Sequence, residues 1–298
     1  MPVVRIGVLQ ATGDPERPAR NLAVLRSAAG DASARGCGVL VTPELFLPGY
    51  APRLVAGRDG DEQRTAAAGL AAEFGLHLVV STVEHDGSKR YISAHLFAPN
   101  GSRVLRYRKT HLFGEENEVF DAGDAPSAVA RIEGMAVALG ICFDVEFPEY
   151  VRVLADAGAE LLLVPTAVPR LTAAEAELYE ADFVVQRIVP ARAMESTVAL
   201  AYANQARPGF IGSSRIIGPA GDVRASAGRG GPELVVAEVD GVEVGRARAV
   251  LPYLSARRPR IYRAPEPESS QGELPGSRVG VPRTGASSGA ARLRPGEM

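Results

Sequence analysis

Three segments of this chain set a reactive side chain at the end of an apolar run. Residues 140–149, Gly-Ile-Cys-Phe-Asp-Val-Glu-Phe-Pro-Glu, bring Cys142 directly after the apolar stretch 135–140. Residues 41–50, Val-Thr-Pro-Glu-Leu-Phe-Leu-Pro-Gly-Tyr, hold Glu44, and residues 107–114, Tyr-Arg-Lys-Thr-His-Leu-Phe-Gly, hold Lys109. A thiol with an ordinary pKa near 8.5 is mostly protonated at neutral pH, so it attacks a carbon centre only after losing its proton. A carboxylate can take that proton, and a fixed ammonium can hold the oxyanion that forms. Desolvation beside apolar residues 39–43 should raise the Glu44 pKa, and a helix opening near Pro148 should favour a thiolate at Cys142. Along residues 104–109, Leu105, Tyr107 and Lys109 alternate with Val104, Arg106 and Arg108, so Lys109 shares the more apolar face. A lysine there needs an acidic partner, which Glu44 can supply.

These segments, in the order glutamate, lysine, cysteine, resemble the nitrilase, or carbon–nitrogen hydrolase, family from about Val3 to Tyr262. The resemblance implies an amidase in which Cys142 is the nucleophile and Glu44 the general base. Lys109 would be the oxyanion cation, helped by a backbone N–H near Phe143. Such enzymes often carry a second glutamate ahead of a Phe-x-x-Gly. Spacing to Phe120 and Gly123 favours Glu116, with Glu115 and Glu118 as alternatives. Tyr50 and Phe143 are assigned to the substrate side, and His111, two residues past Lys109, is placed to orient the site. One departure is Asp121-Ala122-Gly123 where the family has Pro-Gly.

Glu146, four residues past the cysteine, is the strongest hint about substrate. Relatives that hydrolyse N-carbamoyl amino acids tend to carry arginine there. An acid would repel a carboxylate and accept a cationic or neutral end. The acidic stretch 172–182, with Glu175, Glu177, Glu180 and Asp182, is either a second acidic wall or the start of a solvated helix. Together these segments resemble 5-aminopentanamidase-like aliphatic amidases. The expected reaction is hydrolysis of a small aliphatic amide with an amino or guanidino end, to acid and ammonia through a thioester. N-carbamoyl amine hydrolysis and nitrile hydrolysis are the alternatives, although nitrilases commonly have Cys-Trp-Glu where this chain has Cys142-Phe143-Asp144. A scaffold without activity is the non-enzyme reading, and the three intact reactive types weigh against it.

The elements that must hold these residues alternate. Strand-like runs cover residues 4–10, 38–43, 76–81, 91–98, 104–109, 136–142, 161–165, 198–204, 214–217 and 234–239. Helix-like runs cover 18–35, with Leu22, Val24, Leu25 and Ala28 on one face, then 61–74, 148–157 and 182–195. Asn100-Gly101 and Pro219-Ala220-Gly221-Asp222 are turn signals. This pattern predicts an α/β fold with a mixed sheet. The resemblance sharpens it to a four-layer αββα sandwich that assembles as a homodimer or higher homo-oligomer.

A hydrophobic fraction of 46% in 298 residues supports a sizeable core. A net charge of −2 with no basic block argues against nucleic acid, and the apolar runs are too short to span a bilayer. The N-terminal residues lack an apolar signal core, and a nucleophilic cysteine needs a reducing compartment, so a cytoplasmic protein is expected with Cys37 and Cys142 both free. His77, His85, His95 and His111 have no ligand spacing, so neither metal nor cofactor is expected. Residues 1–263 read as the hydrolase domain. Residues 264–298 are rich in Pro, Gly, Ser and Arg and are expected to form a disordered tail.

Overall fold

The computed structural model describes residues 3–177, 182–206 and 208–262. The expected tail at 264–298 lies outside the described residues. The strands are β1 (Val3–Gln10), β2 (Val39–Val41), β3 (His77–Asp86), β4 (Lys89–Phe97), β5 (Arg103–Arg108), β6 (Ala130–Ile132), β7 (Met135–Leu139), β8 (Leu161–Thr166), β9 (Ala199–Asn204), β10 (Arg215–Ile217), β11 (Val223–Ser226) and β12 (Glu233–Asp240). The helices are α1 (Pro18–Ala34), α2 (Pro52–Val55), α3 (Asp61–Phe74), α4 (Glu116–Val119), α5 (Pro148–Asp156), α6 (Ala173–Ala176), α7 (Val189–Ser196) and α8 (Gly241–Val250).

Two six-stranded sheets result, ordered β12-β1-β2-β3-β4-β5 and β11-β10-β9-β8-β7-β6. Each has three parallel strands at its centre, β1-β2-β3 and β7-β8-β9, flanked by antiparallel strands. The sheets pack face to face through Ile6, Val8, Val41, Val79, Ile92, Leu139 and Leu163, all fully buried. Each such aliphatic side chain removed from water contributes about 1.5–3 kcal/mol. Helices α1 and α3 cover the outer face of the first sheet, where Leu25, Ala28, Ala29, Leu70 and Ala71 meet Leu40, Leu78 and Val80. Helices α5 and α7 cover the second. The layers are therefore α, β, β, α.

Local sequence explains the helix ends. The Ala-rich α3 opens with Asp61 and Glu62 at its positive end and stops at Gly75, whose φ of 64° suits a left-handed cap. Both α5 and α7 carry proline in the first turn, where its missing N–H costs nothing.

Some expectations change. Helix α1 buries Leu25 and Ala28, whereas Leu22 and Val24 lie on its flanks, because Asn21, Ala29 and Ala32 complete the inward stripe. The run predicted as one helix over 182–195 is wound as a π-helix at Val184–Ile188 before α7 begins. Strand β11 follows the 219–222 turn and pairs with β10, and β12 leaves for the other sheet to pair with β1. The three-residue β6, joined to β7 by Glu133-Gly134 at positive φ, was too short to register as a period.

Candidate active site

Glu44, Lys109 and Cys142 each lie just beyond a strand rather than at its last residue. Glu44 follows β2 by three residues, and its backbone is tied across the molecule. Its N–H donates to the Thr166 carbonyl at 3.2 Å, and its carbonyl accepts from Gln205 Nε2 at 2.8 Å. Lys109 follows β5, with its N–H on the Ile92 carbonyl at 2.8 Å and its carbonyl accepting from Gly123 N–H at 2.7 Å. A Cβ at Gly123 would sit 2.4 Å from the Arg108 carbonyl oxygen, so only glycine allows this approach. The Pro-Gly departure therefore keeps the residue the geometry needs. β7 stops at Leu139, and Cys142 opens a 3₁₀ turn, Cys142–Glu146, at a φ of 47°. A left-handed non-glycine residue costs about 1–3 kcal/mol and persists only where its surroundings hold it.

These loops converge on a dry ionic cage. Lys109 Nζ donates to Glu44 Oε1 at 2.8 Å and to Glu116 Oε1 and Oε2 at 2.9 and 2.7 Å, and all three side chains are fully buried. Glu116 also accepts from Tyr50 Oη at 2.7 Å and from Phe113 N–H at 2.8 Å. Tyr50, assigned to the substrate from sequence, braces the second glutamate and is not among the residues lining the cavity beside Cys142. Glu115 and Glu118 are half-exposed and pair with Arg53, outside the cage.

Two carboxylates share one ammonium here, so the cage has one negative charge too many for its burial. Glu44 answers for it. Burial pushes its pKa well above the ordinary value, and the nearby Glu116 charge adds to this, against the pull of Lys109 and of the Cys142 thiol. Its Oε2 has no full hydrogen bond among the described residues, which leaves it open to receive a proton. Lys109 is held charged: burial disfavours the ammonium, but the Glu44 and Glu116 charges outweigh that. Burial, then the Glu44 charge, push the Cys142 thiol up, while Lys109 and the Ala167 N–H pull it down. These influences work against the expected helix-stabilised thiolate. The residue opens a short 3₁₀ turn, α5 begins six residues later, and desolvation dominates.

Beside the sulfur lies a cavity of about 80 Å³, room for several waters or one small molecule. Phe113, Phe143, Val168, Leu171, Phe183 and Val184 form its apolar wall. Cys142 and Glu146 are the lining residues that can carry charge. Burial raises Glu146 to about 7, partly offset by the positive charges of Arg192 and Lys109. Arg192 on α7 donates from its terminal nitrogens to the Glu146 carbonyl at 2.7 Å and to Glu195 Oε1 at 3.1 Å, so its hydrogen bonds fall beside the Glu146 carboxylate rather than on it. Phe143 packs edge-on between Phe113 and Phe147. Within the stretch 172–182, Asp182 pairs with Arg229, away from the cavity lining, and residues 178–181 lie outside the described residues.

Residues 5–249 match the carbon–nitrogen hydrolase family. The chain belongs to that family. It is an enzyme of the amidase branch, a hydrolase of carbon–nitrogen bonds. A hydrolase from Pseudomonas protegens, described by its place in the pqqF 5′ region, is 35% identical over 271 residues, covering 87% of this chain and 90% of its own length. A citrullinase from Francisella tularensis is 30% identical, covering 87% and 96%. The solved amidase of Nesterenkonia sp. AN1, as a mutant in complex with butyramide, is 34% identical with a TM-score of 0.76, covering 87% of this chain and 95% of that one. Among the described residues of the hydrolase, no helix is long and apolar enough to cross a membrane, and no group of three or more ligand-type side chains could hold a metal ion.

Sequence reasoning passed over Gln205 and Asp144. Gln205 links the Gly13 N–H, at 2.9 Å, to the Glu44 carbonyl. Asp144 gathers donors from the lysine segment. Gln205 stood in Ala-Asn-Gln at a strand end, the one available signal. Asp144 sat two residues past the cysteine and was weighed only as a mark against a nitrilase.

Proposed function

We propose that the protein hydrolyses a small aliphatic carboxamide carrying an amino or guanidino end, releasing the acid and ammonia through a thioester on Cys142. Glu44 Oε2 takes the thiol proton as the sulfur attacks the amide carbon. The oxyanion is met by Lys109 Nζ and by a backbone N–H near Phe143. Collapse expels ammonia, which carries away the proton from Glu44. Glu44 then takes a proton from water, the hydroxide attacks the thioester, and the thiol returns. A thiol pushed up by burial, beside a Glu44 oxygen without a hydrogen bond among the described residues, fits this proton exchange. Glu116 and Tyr50 keep Lys109 aimed.

The observation that carries the substrate reading is Glu146, an acid in an otherwise apolar wall, on the turn that Cys142 opens. Four residues of 3₁₀ turn separate their backbones by roughly 8 Å, which suits a short chain reaching from the sulfur to the carboxylate. Likeness to an amidase solved with butyramide supports a small aliphatic amide. Likeness to a citrullinase keeps N-carbamoyl amine hydrolysis as the second reading, because a ureido group would present the same carbonyl to Cys142. Assembly as a homodimer or larger and a cytoplasmic setting belong to the same proposal. Ammonia release from matched ω-amino, guanidino, neutral and carboxylate-bearing amides, with N-carbamoyl amines and nitriles alongside, tests it. Cationic amides should lead, and a lead for neutral or acidic amides would overturn the cationic assignment.

A further inference from the structure

We infer that Asp144 is a positioning residue for hydrolysis, fixing the separation between Lys109 and Cys142. Asp144 is fully buried in the turn that opens with Cys142. From its own side, Ile141 N–H, one residue before the nucleophile, donates to Oδ2 at 2.9 Å. From the lysine side, Tyr107 Oη donates to Oδ2 at 2.8 Å, Thr110 Oγ1 and His111 N–H donate to Oδ1 at 3.0 Å each, and His111 Nδ1 lies 2.8 Å from Oδ1. Residues on both sides of Lys109 and the residue preceding Cys142 thus end on one carboxylate. The His111 ring stacks on Phe147 at 4.0 Å, tying the same segment to the far end of the cysteine turn. A buried carboxylate could be satisfied from one element alone. This one is satisfied from the two that carry the reactive groups. Misplacing such groups by about 1 Å costs on the order of 10²-fold in rate. Asp144 lies outside the cavity lining, so it acts through its neighbours.

The inference rests on Cys142 and Lys109 acting as proposed, which Cys142→Ala and Lys109→Met test separately. Asp144→Asn preserves volume but turns an amide N–H₂ toward either the Ile141 N–H or the His111 N–H. The full-length protein is assayed on whichever amide the wild type hydrolyses fastest. Its kcat is expressed per folded molecule, with the folded fraction read from circular dichroism, so misfolded protein does not count. Because each rate is a ratio to wild type on one substrate, an error in the substrate reading leaves the comparison intact. Asp144→Asn should lower kcat by about 10- to 100-fold with KM nearly unchanged. Alkylation of Cys142, which builds no oxyanion, should slow far less. Tyr107→Phe and Thr110→Val each remove one donor and should give the same kcat-only pattern, weaker. The inference is overturned if folded Asp144→Asn keeps kcat within about twofold, if its defect lies in KM, or if the loss vanishes per folded molecule. Should Asp144→Asn not fold, it is overturned if both single-donor variants keep kcat within about twofold.

Discussion

Glu44, fully buried, and Glu146, half-buried, both have a raised pKa, yet their settings differ. Glu44 has an ammonium at 2.8 Å, shared with a second carboxylate that takes most of the hydrogen bonds. Glu146 has no ion-pair partner among the described residues, and its neighbour Arg192 is bound to backbone and to Glu195. An acid whose neighbouring cation is mostly taken by a second carboxylate, and which keeps one oxygen free, is equipped to gain and lose a proton. An acid facing an apolar cavity without an ion pair is, in the proposed function, the one that receives the cationic end of the substrate. The comparison separates turnover from selectivity, and mutations at the two ends should separate them too.

The largest effect belongs to the sulfur between them. Cys142→Ala should cut turnover on the order of 10⁵-fold or more on every substrate while circular dichroism stays native. Cys37, 5% exposed on the opposite side of the first sheet, should be dispensable. Activity loss that tracked alkylation of Cys37 would reassign the nucleophile.

Lys109→Met should lower kcat by about 10²- to 10³-fold, with KM changing much less. It should also destabilise the fold, because it strands two buried carboxylates, and losing one partner of such a pair costs about 3–5 kcal/mol. A defect confined to KM would move Lys109 to the binding end of the comparison.

The pH profile comes next. In kcat/KM the base must start deprotonated, so activity is lost as pH falls through the Glu44 pKa. That acidic limb should lie well above the ordinary carboxylate value of 4.5. Below it the rate should fall about tenfold per pH unit. A profile flat down to pH 5 would mean that Glu44 is not the base.

Glu146 should govern choice rather than rate. Its group titrates near 7, and an alkylammonium stays charged well above that. The preference for cationic over neutral amides should therefore grow as pH rises from 6 to 8. Above that range a partly desolvated pair contributes about 1–3 kcal/mol, or about 5- to 150-fold in kcat/KM. Glu146→Gln should flatten the preference and spare neutral amides. A variant dead on all substrates would place Glu146 with the catalytic cage.

Tyr50→Phe should be mildest, lowering kcat about three- to tenfold, since Glu116 keeps its bonds to Lys109 and Phe113 N–H. A large change in KM instead would return Tyr50 to the substrate side.

By itself the sequence determined the alternation of strands and helices, because periodicity is a local consequence of which face each residue buries. It also placed Lys109 on the apolar face with Leu105 and Tyr107, for the same reason. The order of glutamate, lysine and cysteine identified the family through its motifs. What tertiary structure decided was everything that depends on which loops meet. The division into two sheets follows from strand pairing across long separations, as in β1 with β12. Spacing favoured Glu116, but that it meets Lys109 while Glu115 and Glu118 pair with Arg53 depends on how α4 turns, which spacing cannot supply. The bond from Tyr50 to Glu116 and the upward push of burial on the Cys142 thiol could not be read from the sequence, because desolvation and partner geometry exist only in the folded molecule. Asp144 was visible as a letter, but its five donors come from residues 107, 110, 111 and 141. Only folding brings those within 3 Å of one carboxylate.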